Sequence, residues 1–363
     1  MQNSIGRLFT VTSFGESHGK CVGAVVDGCP AGLPLAGADI QRELDRRRPG
    51  EAPAATGRHE KDRVEILSGV SNGFTTGAPV CLLVRNEDID DSDYEKIRFR
   101  LRPGHADYTA YVKYGGFNDW RGGGRFSGRI TATFVMAGAI ARKLLETVGV
   151  EIFAHTVEIG GIAAAPVALA QIKKRAAADS LRCADPKVSR EMAKVIGAAR
   201  EEGDSLGGVV EGLAVNMPVG LGEPVFDNLD GELAKALLAI PAVKGVEFGT
   251  GFTAARKKGS ENNDAFLLKD GKVVTATNNA GGILGGISNG MPVIVRVAFK
   301  PTSSIAAEQE TVDIQKMETA TVSVAGRHDV CIVPRAVPVV EAMMAVTLCD
   351  FAMRAALIPG VIK

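Results

Sequence analysis

Residues 127–147 read SGRITATFVMAGAIARKLLET, and residues 151–159, just beyond Gly149, read EIFAHTVEI. In the longer stretch Ile130, Phe134, Ala137, Ile140, Leu144 and Val148 recur at helical spacing and line one face, and Gly149 stands where a left-handed residue ends a helix. Residues 151–159 have the character of a strand. Working outward, residues 208–217 (GVVEGLAVNM) and 292–300 (PVIVRVAFK) alternate apolar and polar side chains as half-buried strands do, and residues 22–26 and 80–85 read as further strands. Helical spacing also marks residues 39–48, 189–202 and 230–240. A last helix is expected over 339–357, with Pro338 suited to its first turn and Pro359-Gly360 to its stop. Helices and strands mix without a regular strand-helix-strand rhythm, which predicts an α+β fold rather than a doubly wound parallel sheet. No repeat and no Pro/Ser-rich or strongly charged linker interrupts the chain, so one domain over residues 1–363 is expected.

Composition narrows the function. The 42 basic and 42 acidic residues leave no net field to gather nucleic acid or an anionic membrane, so any anion must be bound locally. The six cysteines form no C-x-x-C pair and have no histidine at zinc-finger spacing, which suggests reduced thiols in a cytoplasmic protein and no metal site. The N-terminus lacks a secretory pattern, and the longest apolar run, residues 336–348, contains Glu341 and is short for a bilayer span.

Glycine is abundant, 43 residues, and concentrates in loops with polar or basic neighbours. Residues 114–129 read YGGFNDWRGGGRFSGR and residues 278–290 read NNAGGILGGISNG. Such loops serve either as ordinary turns or as cradles that aim backbone N–H groups at an anion. Near the N-terminus, TSFGESHGK (residues 12–20) sets Ser17 and His18 between glycines. In LDRRRPG (residues 44–50), Arg46, Arg47 and Arg48 fan around a helix end and cannot all pair with Glu43 and Asp45. They form either a solvated helix end or a clamp for phosphate and carboxylate. RLRPGHADYT (residues 100–109) places His105 among arginines that disfavour its protonation until an anionic ligand arrives.

Residues 325–343 combine Arg327, His328, Asp329 and Arg335 ahead of a core helix, as a cleft wall or as a structural ion-pair network. KPTSSI (residues 300–305) offers a lysine and three hydroxyls for a phosphate or for a helix cap. His155 reads as a core or edge residue of a strand, and His59 as part of a charged loop. Metalloprotease, P-loop and Rossmann motifs are absent. The residues together point to acid/base work on a small, multiply anionic substrate.

Taken in order, GESHG, VDGCPAGLPL, DRRRPG, RPGHADYT, RGGGRFSGR, GEPVFD, AVKGVE, AGGILGGISNG, KPTSSI and GRHDVCIVPRAVPVVEAM closely resemble the chorismate synthase family over nearly the whole chain. The resemblance implies a sandwich with helices packed between two mostly antiparallel sheets, assembled as a homotetramer. It implies conversion of 5-enolpyruvylshikimate 3-phosphate to chorismate and phosphate with reduced FMN, a 1,4-elimination without net redox change. By the same resemblance, His18 protonates the departing phosphate, Ser17 and Asp329 relay the proton from the flavin, and His105 balances charge on the reduced ring. The substrate arginines match Arg42, Arg47, Arg48, Arg129 and Arg335. Flavin contacts match Arg125, Phe126, Ser127, Pro241, Ala242, Gly285, Lys300, Pro301, Thr302, Ser303, Ser304 and Arg327.

The chain departs from the family pattern after the triple glycine, where Phe126, Gly128 and Ile130 replace serine, alanine and glutamate. Phe126 then offers only its backbone N–H. Val330 stands where proline is usual, and Pro53 where some members carry an arginine associated with NADP. A monofunctional enzyme supplied with reduced flavin from outside is the expectation. The competing readings are a flavin-independent lyase acting on a phosphorylated sugar acid, which leaves the flavin loops unexplained, and a nucleic-acid-binding protein built on the RGG-like element, which zero net charge and 5% aromatic content oppose.

Overall fold

The two alternating runs pair with each other in the computed structural model, which describes residues 3–48, 61–87, 90–324 and 329–363. Strands Gly208–Val215 and Val293–Phe299 are antiparallel, with Val210 opposite Val297, Gly212 opposite Val295 and Ala214 opposite Val293. Val243–Phe248 joins one side of this pair, and Glu151–Ile159 with Ile162–Ala163 extends the other. A further five-stranded antiparallel sheet runs Ser4–Ile5, Thr10–Gly15, Cys21–Asp27, Val80–Arg85 and Val64–Ile66. Every strand expected from the sequence is present.

Between the sheets lie two long helices. Thr131–Glu146 packs on the N-terminal sheet, Val333–Arg354 packs on Glu151–Ile159 and Gly208–Val215, and the two helices pack on each other. Gly37–Arg47 and Leu229–Leu238 flank them. The helices cross at Gly138, where an added Cβ would sit 2.4 Å from the Ala342 Cβ, so only glycine allows this approach. The fold is therefore α+β, with helices layered between two antiparallel sheets.

Three details differ from the sequence reading. The helix expected to bury one face is buried almost all round, from Thr131 through Leu145, because it meets a sheet on one side and the C-terminal helix on the other. It begins at Thr131 after a short turn, Gly128–Ile130, although Gly149 with φ +80° ends it as expected. The last helix starts at Val333, so Pro334 occupies the first turn and Pro338 lies inside. At 22 residues it is long and apolar enough to cross a bilayer, but 94% of its apolar window is buried within the protein.

Buried charge ties this layer together. Glu341 on the C-terminal helix is 1% exposed and accepts from Arg46 at 2.6 and 2.9 Å, from Arg142 at 2.7 Å and from the Ala154 N–H at 2.9 Å. Burial opposes its ionisation, but Arg142 and Arg46 outweigh that and hold its carboxyl below the usual range. Asp350 on the same helix accepts from the backbone N–H groups of Arg7, Leu8 and Phe9 at 2.7–3.0 Å, which fastens the N-terminal loop to the core.

Candidate active site

Strand Thr10–Gly15 ends in a tight turn, and Cys21–Asp27 returns from it. The turn carries Glu16, Ser17 and His18, and Asn86 holds it by donating to the Glu16 and Gly19 carbonyls at 3.0 and 2.8 Å. The Ser17 N–H donates to the Gly124 carbonyl at 3.2 Å, which brings in the triple-glycine segment. Gly122, Gly123 and Gly124 all have positive φ, a succession open only to glycine. A Cβ on Gly122 would lie 2.2 Å from the His18 ring, and one on Gly123 would lie 3.2 Å from His105 Nε2. Both histidines thus rest against adjacent glycines of one turn.

His18 is 3% exposed, with Nδ1 2.5 Å from Asp91 Oδ1 and its ring edge-on to Tyr94 at 5.3 Å. Ser17 Oγ is buried and has no hydrogen-bond partner among the described residues. His105 Nδ1 lies 2.6 Å from Asp107, and Arg102 bridges the pair at 2.7–3.0 Å. Burial lowers the His105 pKa most; Asp107 opposes it and Arg102 adds to it. The sequence reading assigned that lowering to cations; desolvation is the larger cause because the loop is packed in. Asp107 is held far below the usual carboxylate range, its burial overcome by bonds from His105 and Arg102.

Arg102 also reaches Ser304 Oγ at 3.2 Å, joining this loop to residues 300–304. Lys300 Nζ donates to Ser303 Oγ at 2.9 Å and to the Pro301 carbonyl at 3.1 Å, and has no carboxylate partner among the described residues. The Lys300 N–H meets the Ala242 carbonyl at 2.9 Å, so Pro241 and Ala242 adjoin this segment. No helix follows directly on residue 304 among the described residues, which removes the cap reading of the hydroxyls. Thr302 Oγ1 donates to the Asp329 carbonyl at 3.1 Å, and the Asp329 carboxylate closely contacts Arg335.

Arg335 Nε donates to the Arg47 carbonyl at 3.3 Å. Arg47 itself is buried, binding Asp62 at 3.1 Å, Thr131 at 2.8 Å and the Gly128 carbonyl at 3.0 Å. Arg129 shares Asp62 in a close contact and reaches Asn86 at 3.0 Å, which closes the circuit back to the Ser17-His18 turn. Asp62 has a left-handed backbone, φ +46°. Burial opposes its ionisation, yet Arg47 and Arg129 hold its carboxyl below the usual range. Burial brings Arg47 down to about 9, against the attraction of Asp62 and with repulsion from Arg335 and Arg129 adding to it. Among the described residues, Arg47, Arg129 and Arg335 gather around the Asp62 and Asp329 carboxylates.

The remaining candidates separate. Arg48 pairs with Asp45 at 3.1 Å at the rim, and Arg42 is exposed beside Glu43, away from the cluster. Arg125 and Phe126 line a cleft of about 780 Å³, where Arg125 bonds to the Ser13 hydroxyl, the Gly15 carbonyl at 3.0 Å and Asn3 at 3.1 Å. Ser127 Oγ accepts from the Arg129 N–H at 3.2 Å as a helix cap. Gly285 and Gly286 form the turn between Ile283–Leu284 and Ile287–Ser288, and Gly286 packs against Asn228 and accepts from the Leu229 N–H, so this other glycine loop builds a hairpin. Arg327, His328, Pro53 and His59 lie outside the described residues. His155 is buried with Nε2 3.2 Å from Glu211 and Nδ1 without a partner among the described residues, so it is only half satisfied. Sequence reasoning missed Asp62, Asn86 and Asp91; only Asp91 had a signal, the acidic run DIDDSD at residues 88–93.

The profile of the chorismate synthase family matches residues 9–353 of the chain. The chain belongs to this family. It is similar to chorismate synthase of Dehalococcoides mccartyi, 58% identical with all of both chains covered, and to that of Korarchaeum cryptofilum, 56% identical over 96% of this chain and 97% of the relative. A solved structure titled "Crystal Structure of Chorismate Synthase" superposes with a TM-score of 0.77 at 34% identity, covering 97% of this chain and 93% of the other. The matched span includes every chorismate synthase motif from the Ser17-His18 turn to Asp329 and Arg335.

Proposed function

We propose that the protein converts 5-enolpyruvylshikimate 3-phosphate to chorismate and inorganic phosphate with reduced FMN, the last shared step toward aromatic amino acids. The observation that carries this reading is the meeting of His18 and His105 on adjacent glycines, joined through hydrogen bonds to a cluster of three arginines and two aspartates. In the 1,4-elimination the C3–O bond breaks and its electron pair leaves with phosphate. C6 loses a proton, the C–H pair becomes a double bond to C1 and the ring double bond shifts from C1–C2 to C2–C3, so substrate and products balance without an oxidant.

Arg47, Arg48, Arg129 and Arg335, with Arg42 as an outer contact, would hold the phosphate and carboxylates through charge-assisted bonds. An arriving anion would meet the three guanidinium groups gathered there. His18 would give a proton to the departing phosphate, since a protonated phosphate leaves more easily. The residues also fit a flavin: Lys300 has only neutral acceptors among the described residues, beside Ser303 and Ser304, and the buried Ser17 hydroxyl has no partner there. Pro241, Ala242, Pro301 and Thr302, which adjoin Lys300, would complete its contacts, and Arg125, Phe126, Ser127, Gly285 and Arg327 are assigned to the flavin by the family resemblance alone. When bound, reduced FMN supplies electron density to the electron-poor ring and a basic nitrogen for the C6 proton. Ser17 and Asp329 would carry that proton away, and neutral, buried His105 would respond to the charge of the ligand.

The reading extends to one domain over residues 1–363, supported by a main hydrophobic cluster that spans Phe9 to Ile358. It includes a cytoplasmic, monofunctional lyase that receives reduced flavin from outside, and a homotetramer. Exposed Phe226, Phe252, Phe266 and Leu268 support association with further copies. The test is anaerobic turnover of His18→Ala and Asp329→Ala beside the unmodified protein. Both should retain FMN binding and lose about 10²- to 10⁴-fold in kcat; near-normal turnover in either overturns the role assigned to it.

A further inference from the structure

We infer that Asp91 is the positioning residue of His18, fixing the proton on Nδ1 so that proton transfer takes place at Nε2. The inference rests on the reading of His18 as the acid.

Asp91 Oδ1 lies 2.5 Å from His18 Nδ1, and the His18 side chain is 1% exposed. An ionised carboxylate only accepts, so the bond requires Nδ1 to carry hydrogen in both the neutral and the charged imidazole. Any proton that His18 exchanges with a ligand is then the one on Nε2. The opposite edge of the ring is set by the glycine turn, since the Cβ position on Gly122 falls 2.2 Å from Cδ2 and 2.4 Å from Nε2. Tyr94, three residues beyond Asp91, meets the ring edge-on and limits its tilt.

The carboxylate is itself held. Arg121 Nη1 stands 3.6 Å from Asp91, and Arg121 is anchored on Asp119 by Nε and Nη2 at 2.9 Å each and by its backbone N–H at 3.1 Å. Arg121 opens the same turn whose next residue, Gly122, presses on the ring. One segment therefore sets both edges of the imidazole, the arrangement of a proton-transfer group oriented by a third residue.

The test compares Asp91→Asn, Asp91→Ala and Asp91→Glu with His18→Ala, all with reduced FMN. Asp91→Asn and Asp91→Ala should lower kcat by roughly tenfold or more, short of the about 10²- to 10⁴-fold loss of the acid itself, with KM for the substrate nearly unchanged. Asp91→Glu should recover part of kcat. Long-range ¹H–¹⁵N spectra of the imidazole should show His18 protonated on Nδ1 in the unmodified protein and shifted toward the Nε2–H tautomer in Asp91→Ala. An unchanged His18 tautomer, or unmodified kcat in Asp91→Ala while His18→Ala is inactive, overturns the positioning role alone. Full turnover in His18→Ala overturns the acid role beneath it.

Discussion

Arg46 and Arg47 are neighbours in sequence, yet they belong to opposite kinds of buried charge. Arg46 and Arg142 pair with Glu43 and Glu341, Arg42 reaches Glu43 at 3.8 Å from the surface, and Arg182 donates to the Arg46 carbonyl. The set staples three helices, Gly37–Arg47, Thr131–Glu146 and Val333–Arg354, to the C-terminal sheet through the Ala154 N–H. Arg47, with Arg129 and Arg335, faces only Asp62 and Asp329 among the described residues. The buried Glu341 between the helices marks the Arg46 set as scaffold; the Asn86 link to the Ser17-His18 turn and the Thr302 link to Asp329 put the Arg47 set beside the candidate site. The arginine triplet read from the sequence as helix end or clamp is divided by its turn around the helix: Arg46 to the core, Arg47 to the site, Arg48 to the rim.

The sharpest way to break the comparison is Glu341→Gln. Removing the buried Glu341 charge leaves Arg46 and Arg142 to share Glu43 and should cost about 3–5 kcal/mol of stability, read as a lower urea midpoint, while turnover per folded molecule persists. Arg129→Met should do the reverse. It removes a guanidinium from the set linked to the Ser17-His18 turn and should weaken substrate binding by the roughly 1.5–3 kcal/mol of a charge-assisted bond, measured by titration calorimetry, with a smaller change in stability. Equal behaviour of the two variants would erase the distinction.

A smaller effect sharpens it further. The Asp62 and Glu341 carboxyls are both depressed in the folded protein. A depressed carboxyl contributes stability above its unfolded pKa, about 3.9 for aspartate, and loses it as pH falls through the folded value. Urea midpoints should therefore be level above about pH 5 and decline below about pH 4. Asp62→Asn should make that decline shallower; an unaltered slope would mean that Asp62 is not held by the arginines.

The sequence showed the five strands with clear apolar patterns and the main helices, because burial imposes a period on them. It did not show Thr10–Gly15 (TVTSFG) or Val243–Phe248 (VKGVEF) as strands, since glycine and polar residues interrupt the pattern of both. The helix Asp107–Lys113 was hidden inside a motif read for its histidine, and the Pro186 start of Pro186–Glu201 was missed although Asp185 caps it at 2.9 Å. In the site, the histidines and arginines were visible as motifs. Their partners were not, because Asp62 is joined to Arg129 across 67 residues and Glu341 to Arg46 across 295, which no local pattern encodes.

The most direct measurement is anaerobic phosphate release from 5-enolpyruvylshikimate 3-phosphate, with and without dithionite-reduced FMN. The account predicts release only with reduced flavin, accompanied stoichiometrically by chorismate absorbance. Release without flavin, or none with it, would contradict the assigned chemistry.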